Sequence, residues 1–542
     1  MRLYLIPGLL ALASSALAGV TYKVVGFPES PTDTFAVVIN KKTTPLTTTN
    51  ETFPLWTGTV AGAHAYSGYR YVMLSANGTV VKRESFLRVF TNKKATTTSN
   101  EFFLREVTQT TLPSIPQVYD SVRPAPSRAF NESLIGTIHL TADPATFADM
   151  VAHPLDDDRK AIKASFRFIN ADTTYSAAEV KLKVSGHGSR EFKKLSLRVK
   201  FDEDKGETFF DCPIIKLRSE TSDPTMFREK LYFDILDSIG VKTTQGSWVR
   251  VYVNGQPFGF HLMVQDIETP FLRGTVHLGS SNPKELGSLY QMGSHVLGQE
   301  ATMQYNGSLT ADYNPEIYSN QNLGDNPKKE PMTQLISFFK DLQEYDPTMS
   351  GGIKFWNSRL DLDGYLRAMA MEYLTGNWDA YWWKGNNYFM YYNPVEARWL
   401  FLPTDFDSTF SDGGLADVLT TYKNFAAKRL ARKGKDHPLI TKLIYKNKDI
   451  NARFENILLT IVKKVFNTKT LEARINAYET MIQDEVKWDY SLDRSKNPGK
   501  TTGFTITDFH KSITGGVKGV NIGIKPWIKD REDSVPTQVS TA

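Results

Sequence analysis

The stretch "RWLFLPTDFDSTFSDGG", residues 398–414, places two aspartates at the end of an aromatic and apolar run. Asp405 and Asp407 stand one residue apart, and serine, threonine and glycine residues follow them. A strand-like segment that ends in two carboxylates predicts a hard oxygen-donor site, which suits Mg²⁺ when phosphate and water complete its shell. The alternative is that these aspartates only satisfy the backbone at a strand end.

A second polar segment precedes this stretch in the chain. "LTGNWDAYWWKGNNYFMYY", residues 374–392, places Asp379 after a predicted helix and Asn387, with its asparagine neighbour, at the start of an aromatic strand. A tight turn at Asn393 would pair this strand with the next one and bring the asparagines close to Asp405. The two segments together support a metal site as much as they support a structural role.

A glycine-containing turn lies much earlier, in "SGHGSREFKKLSLRVKF", residues 185–201. Gly186 and Gly188, followed by Ser189, predict an amide-rich turn over an anion. Apolar and polar side chains alternate along the strand that follows the turn. Its apolar face holds Leu195, Leu197, Val199 and Phe201, and its polar face holds Ser196, Arg198 and Lys200. The basic face predicts phosphate contacts, with a solvated strand face as the alternative.

Glu229 lies on a helix predicted to begin near Met226 and to end at Gly240. It shares a face with the apolar residues three, four and seven positions further on. A carboxylate on an apolar face needs a cationic partner, and the preceding strand offers Lys194, Arg198 or Lys200. The alternative is a glutamate that reaches solvent or caps the helix.

The chain has 542 residues, which predicts two or three domains. Its formal charge of +5 and the lack of a dense Lys/Arg stripe exclude a nucleic-acid-binding signature. The strand and helix patterns predict five parts beyond the first 18 residues. They are a β-sandwich-like domain over 19–110, a linker over 111–133, a strand-rich lobe over 134–275, a helix-rich lobe over 276–530 and a flexible tail over 531–542.

The N-terminal "MRLYLIPGLLALASSALAGV" is typical of a secretory signal peptide cleaved after Ala18. The sequence predicts no transmembrane segment and no lipid-anchor tail. The single cysteine, Cys212, has apolar neighbours and is predicted to be buried and inert. Four N-glycosylation motifs suit a secreted or cell-surface glycoprotein, at Asn50, Asn77, Asn131 and Asn306.

Five segments, in this order and spacing, resemble the CotH kinase family of spore-coat and fungal cell-surface proteins. They are "SGHGSREFKKLSLRVKF", "FREKL", "VYVNGQPFGFHLMVQDIE", "NWDAYWWKGNNYFMY" and "FLPTDFDSTF", and they span roughly residues 134–490. The N-terminal β region and the signal peptide resemble the fungal invasin branch of that family. The resemblance implies an α+β fold, in which a small β-sandwich domain precedes a bilobal, atypical protein-kinase-like domain.

The same resemblance implies transfer of phosphate from ATP, with Mg²⁺ or Mn²⁺, to serine or threonine of secretory-route or surface proteins. Each predicted residue then has a role. Asp379 is the catalytic aspartate, Asp405 is the metal ligand with Asn387 and Asp407, Lys194 or Arg198 contacts phosphates, Glu229 holds that cation, and Gly186, Gly188 and Ser189 form the phosphate turn.

The sequence departs from the expected pattern at two places. Lys384 stands five residues after Asp379, where an ordinary kinase has its metal-binding asparagine. At the glycine turn, Ser185 and His187 replace the arginine and asparagine that the family usually carries. The altered turn favours a non-catalytic role over an active kinase.

An adhesin or invasin that uses the kinase fold as a scaffold is therefore the main alternative. Segment 291–306 resembles the exposed host-binding segment of the invasins, which adds a host cell-surface receptor as a partner. Its predicted receptor-binding residues are Met292, Gly293, Gln304 and Tyr305. Glycoside hydrolysis is a third hypothesis, because it also uses two carboxylates and aromatic side chains, but it leaves the asparagines and Glu229 without a role.

Overall fold

The computed structural model describes residues 19–63, 68–90, 92, 94–107, 109–122, 128–202, 205–279, 282, 286–294, 298–323, 332–414, 417–432 and 435–540. The predicted signal peptide, residues 1–18, lies outside the described residues. The chain divides into two compact units. One is Met1–Thr108 with Ile169–Thr174, and the other is Gln109–Phe168 with Tyr175–Ala542.

The smaller unit contains two antiparallel or mixed sheets, in the strand orders β4–β1–β7 and β3–β2–β5–β6. Its strands are β1 Gly19–Val25, β2 Thr34–Ile39, β3 Lys42–Pro45, β4 Leu55–Ala61, β5 Tyr69–Leu74, β6 Val80–Arg83 and β7 Glu101–Phe102. Alternate residues of β1, β2 and β5 form one apolar core, as expected for strands with one buried face. The short strands predicted for this region are present, and the β-sandwich assignment remains a prediction.

The larger unit begins with a closed barrel in the strand order β10–β11–β12–β14–β13–β8–β9. Its strands are β8 Gly136–Ala142, β9 Ile162–Ile169, β10 Thr174–Ser185, β11 Ser196–Lys200, β12 Ile214–Arg218, β13 Gly246–Val253 and β14 Gln256–Gln265. Leu197 and Val199 of β11 are fully buried in the barrel core, which confirms the predicted alternation. The β13–β14 hairpin turns at Asn254 and Gly255, both with positive φ, as the sequence predicts.

The rest of the larger unit is mostly helical and includes one four-stranded sheet, in the order β16–β15–β17–β18. The strands are β15 Ser288–Met292, β16 Tyr318–Leu323, β17 Tyr388–Asn393 and β18 Arg398–Pro403. The α-helices of this unit, including two near the barrel strands, are α1 Pro144–Ala152, α2 Arg228–Ser238, α3 Thr269–Phe271, α4 Thr333–Glu344, α5 Gly352–Asn357, α6 Leu362–Thr375, α7 Tyr381–Lys384, α8 Ala427–Leu430, α9 Lys448–Lys464, α10 Thr468–Tyr490, α11 Ile506–Thr514 and α12 Ile524–Ser540.

Short helices of other types complete the larger unit. They are 3₁₀ turns at Arg128–Phe130, Gly188–Glu191 and Thr310–Asp312, and π-helical segments at Leu272–Val276 and Leu439–Lys446. The mixed α+β class predicted from the sequence is therefore confirmed. Within the part of the chain that the structure describes, no helix has both the length and the apolar composition needed to span a membrane.

The C-terminal segment is helical, and the flexible tail predicted from residue 531 is wrong. Helix α12 continues to Ser540, and Arg531 is fully buried. The Arg531 guanidinium donates hydrogen bonds to the carbonyl oxygens of Thr420 at 2.9 Å and Tyr373 at 3.1 Å. These bonds satisfy the two terminal nitrogens of a charged group whose burial would otherwise be costly.

The predicted linker packs along the larger unit instead of standing apart from it. Leu112, Ile115, Val118 and Tyr119 lie against its largest apolar core. The backbone N–H of Val118 donates to the carbonyl oxygen of Ser238 at 2.8 Å, which fixes this segment beside the end of α2. Cys212 is buried as predicted, and burial raises the pKa of its thiol to about 12.

Candidate functional site

The hairpin of β17 and β18 brings the two polar segments together. Tyr388 pairs with Pro403, and the backbone N–H of Thr404 donates to the carbonyl oxygen of Asn387 at 3.1 Å. Asn387, which directly precedes β17, therefore lies beside Asp405, which is two residues after the end of β18. Both residues have positive φ, 57° for Asn387 and 61° for Asp405, a backbone region that Asn and Asp tolerate better than most residues.

Asp379 is held by two side chains that follow it in the chain. Its Oδ1 atom lies 2.6 Å from Nζ of Lys384, and its Oδ2 atom accepts a hydrogen bond of 3.0 Å from Nδ2 of Asn387. Burial raises the pKa of Asp379, Lys384 opposes this shift, and the negative charge of Asp405 adds to it. Asn387 links the two segments, because its side chain contacts Asp379 and its carbonyl oxygen accepts from Thr404, the residue before Asp405.

The short helix α7 fixes the position of Lys384. At its start, the backbone N–H of Trp382 donates to Oε2 of the buried Glu372 at 2.7 Å. Gly385 ends the helix with φ 58°, and a Cβ atom there would lie 3.0 Å from the carbonyl oxygen of Ala301. These contacts therefore restrict the position of the backbone on both sides of Lys384.

Arg218, at the end of β12, binds the carboxylates of the "DFD" segment and of α2. Its Nη2 atom lies 2.5 Å from Oδ1 of Asp405 and 3.2 Å from Oδ2 of Asp407. Its Nε atom lies 2.5 Å from Oε2 of Glu229 and 3.4 Å from Oε1 of Glu220. We call these five residues the Arg218 cluster.

The charges of the Arg218 cluster do not balance, because one guanidinium faces four carboxylates. Burial and the charge of Glu229 raise the pKa of Glu220 well above its usual value, and burial and Asp405 do the same for Asp407. Burial alone would raise the pKa of Asp405 as well, but the nearby guanidinium lowers it. The repulsion within the cluster is therefore relieved either by protons on Glu220 and Asp407 or by a further cation.

Phe406, between the two aspartates, ties the "DFD" segment to helix α2. Its ring stacks on Tyr232 with a centroid distance of 4.2 Å and an interplanar angle of 2°. Its backbone N–H donates to Oε1 of Glu229 at 3.3 Å. The apolar and the acidic faces of α2 thus both contact the segment that carries the candidate metal ligands.

The oxygen donors near Asp405 suit a hard cation when a phosphate-bearing ligand is also bound. Asp405 and Asp407 keep 35% and 29% of their side chains exposed. The Oδ1 atom of Asn387 accepts no hydrogen bond from any described residue. Among the described residues, no group of three or more His, Cys, Asp or Glu side chains is arranged to hold a metal ion. Because Mg²⁺ commonly takes one or two carboxylates and keeps water and phosphate ligands, the residues fit that ion.

Lys194 does not contact Glu229, which corrects one predicted pairing. Its Nζ atom lies 3.1 Å from Oδ2 of Asp489, on α10, and burial lowers its pKa to about 8. Lys194 and Glu220 both line a cavity of about 310 Å³. The side chain of Lys194 therefore pairs with Asp489 on α10 and not with Glu229 on α2.

Arg198 is the second predicted partner that the structure places elsewhere. It forms ion pairs with Asp266 at 3.4 Å and Glu268 at 3.2 Å, at the end of β14. In the antiparallel pairing of β11 with β12, Arg198 stands opposite Lys216, two residues before Arg218 on the same face of β12. Arg218 is not predicted from the sequence, because the strand pairing, and not chain order, decides which basic residue meets Glu229.

The predicted glycine turn lies between β10 and β11. Gly186 has φ 91°, and a Cβ atom there would lie 2.0 Å from Oγ of Ser189, so only glycine fits. Gly188 begins the 3₁₀ turn that follows, and the N–H of Lys500 donates to the carbonyl oxygen of Glu191 at 2.7 Å. The turn is therefore anchored at its end, and its contact with an anion remains a prediction.

The predicted receptor-binding residues are not together on an exposed loop. Met292 belongs to β15 and is 1% exposed, and Gly293 is also buried. Gln304 and Tyr305 are half-buried, and residues 295–297 lie outside the described part of the chain. The prediction that Met292 and Gly293 face a receptor is therefore wrong, because the pairing of β15 with β16 and β17 buries them.

We expect Met292→Ala to lower the free energy of unfolding by about 2–5 kcal/mol, because truncating a buried methionine leaves a cavity. Chemical denaturation of the purified protein measures this change. Gln299→Ala is the matched control on the same segment: Gln299 is exposed, and we expect a change within about 0.5 kcal/mol. Equal stability of both variants would contradict the buried position of Met292.

The fold and the site define a class of protein that comparison with known sequences identifies. Residues 182–532 match the family model described as "CotH kinase protein". This match covers more than half of the 542 residues, so the chain belongs to the CotH kinase family, as the sequence motifs predict.

Individual relatives come from a fungus and from a bacterium. Invasin CotH3 of Rhizopus delemar is 28% identical over 537 residues, which cover 96% of this chain and 83% of the relative. Spore coat protein homolog 1 of the same organism is 25% identical over 553 residues, covering 98% and 84%. Inner spore coat protein H of Bacillus subtilis is 21% identical over 364 residues, covering 66% and 90%.

Proposed function

We propose that this protein is an atypical protein kinase that transfers the γ-phosphate of ATP to serine or threonine hydroxyls of proteins. The observation that supports this most directly is the convergence of Asp379, Asn387 and Asp405 at one end of the β17–β18 hairpin. An aspartate, an amide oxygen and a second aspartate are the polar set that phosphoryl transfer from Mg²⁺-ATP uses.

In the proposed reaction, Asp379 orients the acceptor hydroxyl and takes its proton. The hydroxyl oxygen forms a bond with the γ-phosphorus, the bond from that phosphorus to the bridging oxygen breaks, and ADP leaves with the electron pair. Burial keeps the pKa of Asp379 above its ordinary value, which makes it a stronger proton acceptor than an exposed carboxylate.

Asp405, Asn387 and Asp407 would hold the metal ion, which when bound neutralises negative charge on the phosphate oxygens. We assign the phosphate contact predicted for Lys194 or Arg198 to Arg218 instead. Arg218 is the cation that Glu229 holds, and it lies within 2.5 Å of Asp405. Gly186, Gly188 and Ser189 would present backbone amides to the same phosphates.

The proposed function also assigns roles to the larger parts of the chain. The barrel over residues 136–265 and the helices with their sheet over residues 288–540 would be the two lobes of a kinase-like domain. The two sheets before them would be an accessory β-sandwich domain. Residues 1–18 would direct the chain into the secretory route, where glycosylation and the surface location follow.

Phosphate incorporation from radiolabelled ATP tests the proposal. The full chain would be incubated with Mg²⁺ or Mn²⁺, alone and with a serine/threonine peptide library, and nucleotide binding would be measured on the same sample. We expect label on the protein or on peptides, only when the divalent ion is present. The absence of both incorporation and nucleotide binding would contradict kinase activity and leave the fold as a scaffold.

We expect Asp405→Asn to abolish Mg²⁺-dependent nucleotide binding while the protein stays folded. Asparagine keeps the shape of the side chain and tolerates the φ of 61°, and Asp407 and Glu229 still neutralise Arg218. Equilibrium binding of a fluorescent ATP analogue, with and without Mg²⁺, measures the loss, and thermal unfolding monitors the fold. Binding equal to that of the parent protein would refute the metal assignment.

Adhesion to host cells is a second candidate function, favoured by the name "Invasin" that several relatives carry. The two functions are compatible, because a binding surface and a catalytic site occupy different parts of one fold. The Asp405→Asn variant separates them. Adhesion that does not depend on phosphotransfer should persist in that variant.

A further inference from the structure

We propose that the site binds a single divalent cation, because the ammonium group of Lys384 replaces the second one. This inference rests on the proposed function. In protein kinases, two Mg²⁺ ions are held by an aspartate and by an asparagine five residues after the catalytic aspartate. Here that position is Lys384, and its side chain points into the site.

The contacts of Lys384 place a fixed positive charge directly on the candidate catalytic residue. Its Nζ atom lies 2.6 Å from Oδ1 of Asp379 and 5.9 Å from the ring centre of Trp378. The Trp378 indole N–H in turn donates to the carbonyl oxygen of Asp412 at 2.7 Å, so the ring has a fixed position. Lys384 remains 34% exposed, which leaves its ammonium accessible to a bound ligand.

Each oxygen atom of Asp379 already has a partner, and a metal ion that approached Oδ1 would meet the Lys384 ammonium, whereas an acceptor hydroxyl can still use the second lone pair of Oδ2. Oδ1 faces Lys384, and Oδ2 accepts the hydrogen bond from Nδ2 of Asn387. The same amide nitrogen also donates to the backbone carbonyl of Asp379 at 3.0 Å. With its nitrogen used in this way, Asn387 has one amide oxygen left, which can complete one set of ligands but not two.

The donors that remain are sufficient for one cation. They are the partly exposed carboxylates of Asp405 and Asp407 and the amide oxygen of Asn387. A second dication would need its own protein ligands and would lie beside the Lys384 ammonium, where like charges repel. Lysine binds phosphate as a compact point charge, so Lys384 can neutralise the phosphate charge that a second metal neutralises elsewhere.

Counting bound Mn²⁺ tests this inference without measuring activity. The full chain would be saturated with the non-hydrolysable ATP analogue AMP-PNP and titrated with Mn²⁺, and the free ion would be followed by electron paramagnetic resonance. We expect one Mn²⁺ per chain–nucleotide complex in the parent protein. We expect two in Lys384→Asn, because this change removes the charge and adds an oxygen donor.

Two control variants, Lys384→Met and Lys384→Arg, separate the effect of the Lys384 charge from the effect of an added oxygen ligand. Methionine removes the charge without adding a ligand, so we expect one Mn²⁺ and AMP-PNP affinity about tenfold weaker, the effect of losing one charged hydrogen bond. Arginine keeps the charge, and we expect one Mn²⁺ with affinity within about threefold of the parent. Equal loss of affinity in both variants would indicate that Lys384 only shapes the loop and would overturn the inference.

Two Mn²⁺ ions of similar affinity in the parent protein would also overturn it. So would a single ion in Lys384→Asn, because the lysine would then not be what excludes the second one. A parent protein that binds neither AMP-PNP nor nucleotide-dependent Mn²⁺ gives a different result. That outcome rejects the proposed function itself.

Discussion

Arg218→Met is expected to lower the free energy of unfolding by about 3–5 kcal/mol at neutral pH, because it leaves buried carboxylates without their cation. Glu229 and Glu220 are 1% and 2% exposed and cannot turn to solvent. Asp405 and Asp407, on the open side of the cluster, lose the same partner. Urea denaturation of the parent protein and the variant measures the difference.

The loss caused by Arg218→Met should depend on pH in a known direction. Without the guanidinium, burial and mutual repulsion raise the folded-state pKa values of the cluster carboxylates, including that of Asp405, which Arg218 holds below its usual value in the parent protein. A group with a raised folded-state pKa stabilises the fold at low pH, and this contribution disappears as the pH rises through that pKa. The decrease in the free energy of unfolding caused by Arg218→Met should therefore be larger at pH 8 than at pH 5.

Arg198→Met is the matched control for this experiment. Arg198 is 33% exposed, its partner Glu268 is also exposed, and the more buried Asp266 keeps its ion pair with Lys216 at 2.9 Å, so we expect a loss of about 1 kcal/mol or less. Equal losses in the two variants, or a deficit in Arg218→Met that does not change with pH, would show that Arg218 does not hold the cluster together.

Asp379→Asn is expected to reduce the rate of phosphate transfer by about 10²- to 10⁴-fold, the usual contribution of a positioned general base. Asparagine fills the same volume but cannot take the proton of the acceptor hydroxyl. Nucleotide affinity should stay within about threefold, because Asp405 and Arg218 remain. Initial rates at saturating ATP, with nucleotide binding measured separately, distinguish the two effects.

A carboxylate outside the site controls for the loss of one negative charge. Asp341 lies on α4, where it pairs with Arg359 at 2.9 Å, and Asp341→Asn should leave the transfer rate unchanged. A decrease of less than tenfold in Asp379→Asn would contradict the role assigned to Asp379. Loss of nucleotide binding in the same variant would instead place Asp379 among the binding residues.

The strands and helices that carry the site were predictable because their side-chain patterns are local. The alternation from Leu195 to Phe201 predicts the buried face of β11, and Asn254-Gly255 predicts the hairpin that follows. The end of the chain was mispredicted despite a usable signal. Ile524, Trp527, Ile528 and Val535 recur at helical spacing and are buried, but the charged residues among them resemble a solvated tail.

The partners within the site were only partly predictable, because they depend on strand pairing. The hairpin brings Asn387 to Asp405 through a short connection, so sequence spacing sufficed there. The cation of Glu229 comes from β12, and no local pattern distinguishes Arg218 from the basic residues of β11. The contact between Lys384 and Asp379 depends on a single turn of helix that ends at Gly385. Residue spacing alone does not reveal in which direction this turn of helix points the Lys384 side chain.

The stacking of Phe406 on Tyr232 has a consequence for how such an enzyme would be controlled. Many kinases are switched by swinging one helix, so that its glutamate leaves the cation of the neighbouring strand. Here the helix is bound to the "DFD" segment by the ring stack and by the hydrogen bond from Phe406 to Glu229. Under the proposed function, these two contacts hold the site in its assembled arrangement. Its output would then depend on where the chain meets ATP and its acceptors, which suits the proposed passage through the secretory route.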